Sequence, residues 1–235
     1  MEFLDSIRLD VLWNYRELFI RGLGVTIMLT IVGYVCGIIL GLIFGLGKMS
    51  KRKMFYYPSK LYIDFFRGTP LLVQILLIHI AVIPTIFGKS LGFFVSGALA
   101  LSLNCGAYTA EIIRAGIQSL DKGQMEAARS LGMPHKTAMR HIILPQALRR
   151  MVPPLGNELI ALLKDSSLVT VIAANDILYA AKVVQGSSFR VWEPYIFAAI
   201  LYLCLTWVVT RIVAYIENRY STSYVPKKRK TFQHR

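Results

Sequence analysis

Five apolar stretches constrain this chain more than any other feature of it. Residues 22–47, 61–83, 91–113 and 194–216 are each near or above the roughly 20 residues an α-helix needs to cross about 30 Å of hydrocarbon. A fifth, 153–173, has the length of a span but contains Asn157, Glu158, Lys164 and Asp165, so hydropathy alone would pass over it. With 55% of residues apolar and a mean hydropathy of +0.51, the composition excludes a typical soluble domain. The expected fold is an all-α membrane protein with about five transmembrane helices.

A formal net charge of +14 would suggest nucleic acid in a soluble protein, so its distribution has to decide. Lys48, Lys51, Arg52, Lys53 and Lys60 crowd the first loop. Arg114, Lys122, Arg129, Lys136, Arg140, Arg149 and Arg150 lie between the third and fourth spans, and Lys227, Lys228, Arg229 and Lys230 lie in the tail. These are alternate sides of a five-span chain, and the positive-inside tendency makes all three cytoplasmic. The N-terminus is then outside, the C-terminus inside, and no nucleic-acid partner is expected.

Residues 1–21 read as an extracytoplasmic segment, 22–217 as the membrane domain and 218–235 as a basic cytoplasmic tail. Leu4, Ile7, Val11, Tyr15 and Leu18 recur at helical spacing, as in a helix lying on the outer surface. The segment lacks the pattern of a cleaved signal peptide. Cys36, Cys105 and Cys204 each sit within a span at no paired spacing, so they are read as small buried side chains, with no metal expected.

Gly33, Gly37, Gly41 and Gly45 put a smooth strip on one face of the first span, against a helix of this chain or of a second copy. In the second span Pro70 predicts a bend near Gly68, and Asp64 and Arg67 at i, i+3 can pair. Gln74 and His79 do not belong on a lipid-facing surface.

Between the third and fourth spans the chain becomes polar over 121–145. Lys122 to Leu131 predicts a helix on which Met125, Ala128 and Leu131 share a face, Gly132 a C-terminal cap, and Pro134 the start of a second helix that stops before Pro145. Helices this short bury no core of their own, so they must dock on something or act only as a solvated topological loop.

The order of residues here, "EAA", three residues, Gly132, nine residues, Ile142, one residue and "LP", resembles the EAA loop of the membrane subunits of ATP-binding-cassette importers. "FRGTPLLVQ" at 66–74, "LNCGAYTAEIIRAGI" at 103–117 and "NELIALLKDSSLVTVI" at 157–172 resemble the polar amino acid branch of that family, the arginine, histidine and glutamine permeases. The resemblance implies a cytoplasmic coupling helix seated on a separate ATPase, with Glu126, Ala127, Ala128 and Gly132 as contact positions. It further implies two ATPase subunits that use ATP and Mg2+, a second permease subunit, identical or homologous, and an extracytoplasmic amino-acid-binding protein. No cofactor is expected in this chain itself. "GKS" at Gly88 to Ser90 is no P-loop, because Ile83 stands where the first glycine is required.

Charged groups at membrane depth normally face a cavity or each other. Glu158 and Asp165, seven apart, share a helix face, and Asn157 and Lys164 lie on the adjoining strip. Two readings stay open. Lys164 neutralises a carboxylate in a structural pair, or the carboxylates meet the cationic groups of an amino acid while Asn157, Ser166, Lys164 and Gln74 hold the rest. Under the second reading, basic cargo suits the extra carboxylate. Rival functions are an ion-gradient-driven carrier built on the same charges, and a cassette importer for methionine or another small organic solute. In each case the chain is a transporter subunit and not an enzyme.

Overall fold

The computed structural model describes residues 9–221, within which every regular element is helical. Leu4 and Ile7 of the expected surface helix, and the basic run Lys227 to Lys230, lie outside the described residues. Three helices are long and apolar enough to cross a membrane, and two bent helix pairs complete up to five spans.

A short helix α1 (Leu9–Asn14) turns at Tyr15 into α2 (Arg16–Lys48), which runs on through residue 22 without a break. Its first turns are held by packing. Phe19 is buried edge-on against Phe197, with ring centroids 4.8 Å apart. The rest of α2 lies along α5 (Gly92–Gln118), the central helix of the bundle.

The glycine strip settles which neighbour that is. A Cβ on Gly37 would come within 2.6 Å of the Cys105 sulfur, and one on Gly45 within 2.9 Å of the Ala110 carbonyl oxygen. The strip is therefore the seat for a helix of the same chain. Without water to drive association inside a bilayer, close backbone approach maximises van der Waals contact. Among the cysteines only Cys105 is buried; Cys36 and Cys204 are exposed, on faces shared with Ile39, Leu203 and Trp207. Apolar faces this extensive require hydrocarbon or another chain.

The apolar run at 61–83 is not one straight helix. It is split between α3 (Lys53–Gly68) and α4 (Leu71–Phe87), which meet at 110°. Thr69 is extended (φ −121°, ψ 150°), as the residue before a proline prefers, and Pro70 follows it (ψ 136°).

After α6 (Lys122–Ser130) comes α7 (His135–Ile172), and here the expectation that the second hairpin helix stops before Pro145 fails. A π-turn at Met139–Ile143 precedes the proline, with Leu144 N–H donating to the Met139 carbonyl. The widened turn makes room for the ring, so the helix continues through Pro145 into the membrane. The same device, Ile78–Val82, precedes Pro84 in α4. The predicted ending was wrong because a proline does not by itself end a helix that packing holds on both sides of it: Pro58, Pro153 and Pro154 also lie inside helices of this chain.

Ala173, in the left-handed region at φ 57°, ends α7 and lets α8 (Ile177–Ser188) leave at 45°. Asp176 caps α8 by accepting from the Leu178 and Tyr179 N–H groups, and also from the Thr170 hydroxyl at 2.5 Å and Tyr202 at 3.2 Å. Ile177, Ala180, Ala181 and Val184 form its buried stripe, packed beside Phe19 and Ala198 near α9 (Trp192–Ser221).

Candidate functional site

The polar residues of the fourth span separate into an exposed strip and a half-buried edge. Asn157, Ala161 and Lys164 are exposed along α7, while Glu158 and Asp165 sit half-buried beside them. Tyr34 of α2 donates from its hydroxyl to the Leu155 carbonyl at 3.0 Å, which ties this part of α7 to the first span. Cys105 of α5 lies next to Glu158. Among the described residues no ion pair within 4.0 Å joins Lys164 to Glu158 or to Asp165. Two carboxylates thus share one face inside a span without a close cation, an arrangement that requires water, a partner or a positively charged ligand.

Gln74 and Ser166 belong elsewhere. Gln74 is only 2% exposed, and its amide nitrogen donates to the Phe66 carbonyl at 2.9 Å, the Thr69 carbonyl at 3.0 Å and the Thr69 hydroxyl at 2.8 Å. Its amide oxygen accepts from Asn104 at 2.9 Å. These are the carbonyls freed by the break at Pro70, so Gln74 latches the broken helix instead of waiting for a solute. Ser166 is fully buried, its hydroxyl donating to the Leu163 carbonyl at 2.7 Å. His79 bonds Ser96 at 2.9 Å, a core contact.

A charge network near the ends of three helices was only partly legible. Glu111 Oε1 accepts from Lys48 Nζ at 2.6 Å, and Oε2 from Arg114 at 2.8 and 3.1 Å. The expected Asp64–Arg67 pair is replaced by contacts to other helices: Asp64 approaches Lys48 and Arg67 approaches Glu111, each at 3.8 Å. Local spacing suggested an i, i+3 pair, but partners from a neighbouring helix that arrive at the same depth compete for the same charges. Lys48 closing one apolar run while Glu111 nears the end of another was the available signal.

The hairpin at 121–145 presents Glu126, Ala127, Arg129, Leu131 and Gly132 outward. Ala128 points inward at 3% exposure, so in this chain it supports the helix instead of forming its outer surface. Leu131 leaves the face predicted for it, because α6 ends at Ser130, and it stands 84% exposed. Gly132 takes φ 81°, which only glycine adopts without strain, and gives the sharp exit towards Pro134. Asp121 caps the helix by accepting from the Gly123 N–H at 2.9 Å.

A bundle of spans with half-buried carboxylates in its interior and an exposed, glycine-terminated hairpin at one end defines a membrane transport subunit. The chain belongs to the family of binding-protein-dependent transport system inner membrane components, whose model matches residues 37–222. It is 38% identical over 200 residues to the arginine transport system permease protein ArtQ of Bacillus subtilis (strain 168), covering 85% of this chain and 91% of the relative. It is 36% identical over 218 residues to the probable glutamine ABC transporter permease protein GlnM of the same organism, covering 93% and 100%. Among solved structures, an amino acid ABC transporter with histidines matches at 43% identity and TM-score 0.85, covering 91% of this chain and 99% of that one. The inward-facing MetNI methionine ABC transporter matches at TM-score 0.75 and 19% identity, a likeness of fold alone.

Proposed function

We propose that the chain is the membrane-spanning subunit of an ATP-driven importer for a polar amino acid, and that Glu158 and Asp165 receive a cationic group of the cargo. The observation that carries the cargo reading is the pair of half-buried carboxylates on one face of α7 with no cation within 4.0 Å among the described residues. Family membership and the arginine and glutamine permeases among the relatives support an amino acid as cargo, and do not favour an ion-gradient-driven carrier. Asn157 and Lys164, on the exposed strip, would meet the carboxylate and polar end of the same molecule.

On this reading the chain works beside a second permease subunit, a binding protein supplies the amino acid from outside, and two ATPase subunits bind ATP and Mg2+ in the cytoplasm. Glu126, Ala127, Leu131 and Gly132 form the surface they grip. ATP binding drives the cycle only if it favours one opening of the bundle over the other, and a firmly held hairpin is the means of transmitting that preference.

The test is uptake of arginine and glutamine by the reconstituted complex carrying Glu158→Gln. Loss of a charge-assisted contact, about 1.5–3 kcal/mol, raises the arginine KM roughly ten- to hundredfold and leaves glutamine nearly unchanged. An equal rise for both amino acids would remove charge recognition from this residue.

A further inference from the structure

Three cations, Lys48, Arg67 and Arg114, converge on a network with two carboxylates, Glu111 and Asp64. One positive charge is therefore in surplus, and the distances identify it. Both oxygens of Glu111 are taken by closer donors, Lys48 at 2.6 Å and Arg114 at 2.8 Å, whereas Arg67 stands off at 3.8 Å, beyond hydrogen-bond length.

Arg67 is also well placed to move. Its backbone is anchored at the end of α3, since the adjacent Phe66 carbonyl accepts from Gln74 at 2.9 Å and from Asn104 at 3.4 Å. Its side chain is 42% exposed and lies over the Tyr108 ring, 5.4 Å from the centroid. The guanidinium opens on a cavity of about 480 Å3 that Tyr108, Glu111, Arg150 and Pro154 also line. Arg150 is bound to Ser119, its Nη1 donating to the carbonyl at 2.5 Å, which leaves Arg67 as the looser guanidinium of this cavity. Pro154 precedes Glu158 by four residues, so the helix face that borders this cavity also carries, one turn further on, the carboxylate that lacks a close cation.

We propose that Arg67 is an internal counter-ion that moves from Glu111 to Glu158 when a cationic cargo leaves, and returns when the next cargo arrives. The proposal rests on the reading of Glu158 as the cargo carboxylate. It makes Arg67 a positioning and specificity residue: it competes with cationic cargo for one site, favours release to the cytoplasm, and is indifferent to a neutral side chain. The Tyr108 ring lies beneath the guanidinium as a cation–π platform between its two stations.

The experiment measures KM and kcat for arginine and for glutamine in the reconstituted complex. Arg67→Gln removes the competitor, so the arginine KM falls about threefold or more and kcat falls with it because release slows, while both glutamine constants stay within a factor of two. Glu111→Gln frees Arg67 for Glu158 and shifts the arginine KM the opposite way, which supplies a test of reversed sign should Arg67→Gln fail to assemble. Equal changes for both amino acids, or an unaltered arginine KM, would overturn the proposal. Arginine selectivity in Glu158→Gln without it in the other two variants sinks the counter-ion alone. No selectivity in Glu158→Gln sinks the cargo reading beneath it.

Discussion

Gly41 of α2 lies so close to Thr109 of α5 that a Cβ on the glycine would come within 2.5 Å of the threonine methyl group. With Gly37 against Cys105 and Gly45 against Ala110, this contact sets how near the first and third spans can approach. Gly41→Val is expected to destabilise the folded chain by about 1–3 kcal/mol through overpacking, read as a lower thermal midpoint in detergent. Gly24, inside the same helix, where an added Cβ would meet nothing within 4 Å, provides the control, and Gly24→Ala should not lower the midpoint.

Gln74 tests whether the broken second span is latched by its own side chain. Gln74→Leu removes the donor to Phe66 and Thr69 and the acceptor for Asn104, leaving buried polar groups unmatched at about 1–3 kcal/mol. Arginine and glutamine uptake should fall by the same factor. A loss confined to one amino acid would show that Gln74 touches cargo.

Asp176 joins four partners at the α7–α8 corner. Asp176→Ala should cost about 2 kcal/mol and speed protease cutting within residues 173–188, because the first turn of α8 loses its cap and Tyr202 its acceptor. Asp176→Asn keeps an acceptor and should retain most of that stability. Equal sensitivity of the two variants would argue that charge matters more than the cap.

The hairpin surface has its own expectation. Glu126→Lys should abolish uptake and cargo-stimulated ATP hydrolysis while insertion stays normal, and Leu131→Ser should reduce ATPase co-purification, since Leu131 stands 84% exposed beside Gly132 at the tip of the proposed contact surface. Normal transport by the Glu126 variant would refute the coupling surface.

What could be read in advance depended on how local the determining physics was. Gly132 at φ 81°, the bend at Pro70 and the α7 face shared by Glu158 and Asp165 follow from residues within a turn or two of each other. Ala128 turned inward, Gln74 and Ser166 were already engaged, and Glu111 drew cations from two other helices, because each outcome depends on a neighbour distant in sequence. Pro145 misled for a subtler reason. Its local chemistry predicts a helix end, and a π-turn of five residues changes the result.

That turn has a mechanical consequence. Because the backbone passes through Pro145 unbroken, His135 beside the hairpin and Glu158 within the membrane stand on one rod, about 35 Å apart at 1.5 Å per residue. A push on the hairpin would therefore reach the carboxylate along one continuous run of backbone, with Pro153 and Pro154, five and four residues before Glu158, as the points where that run can bend.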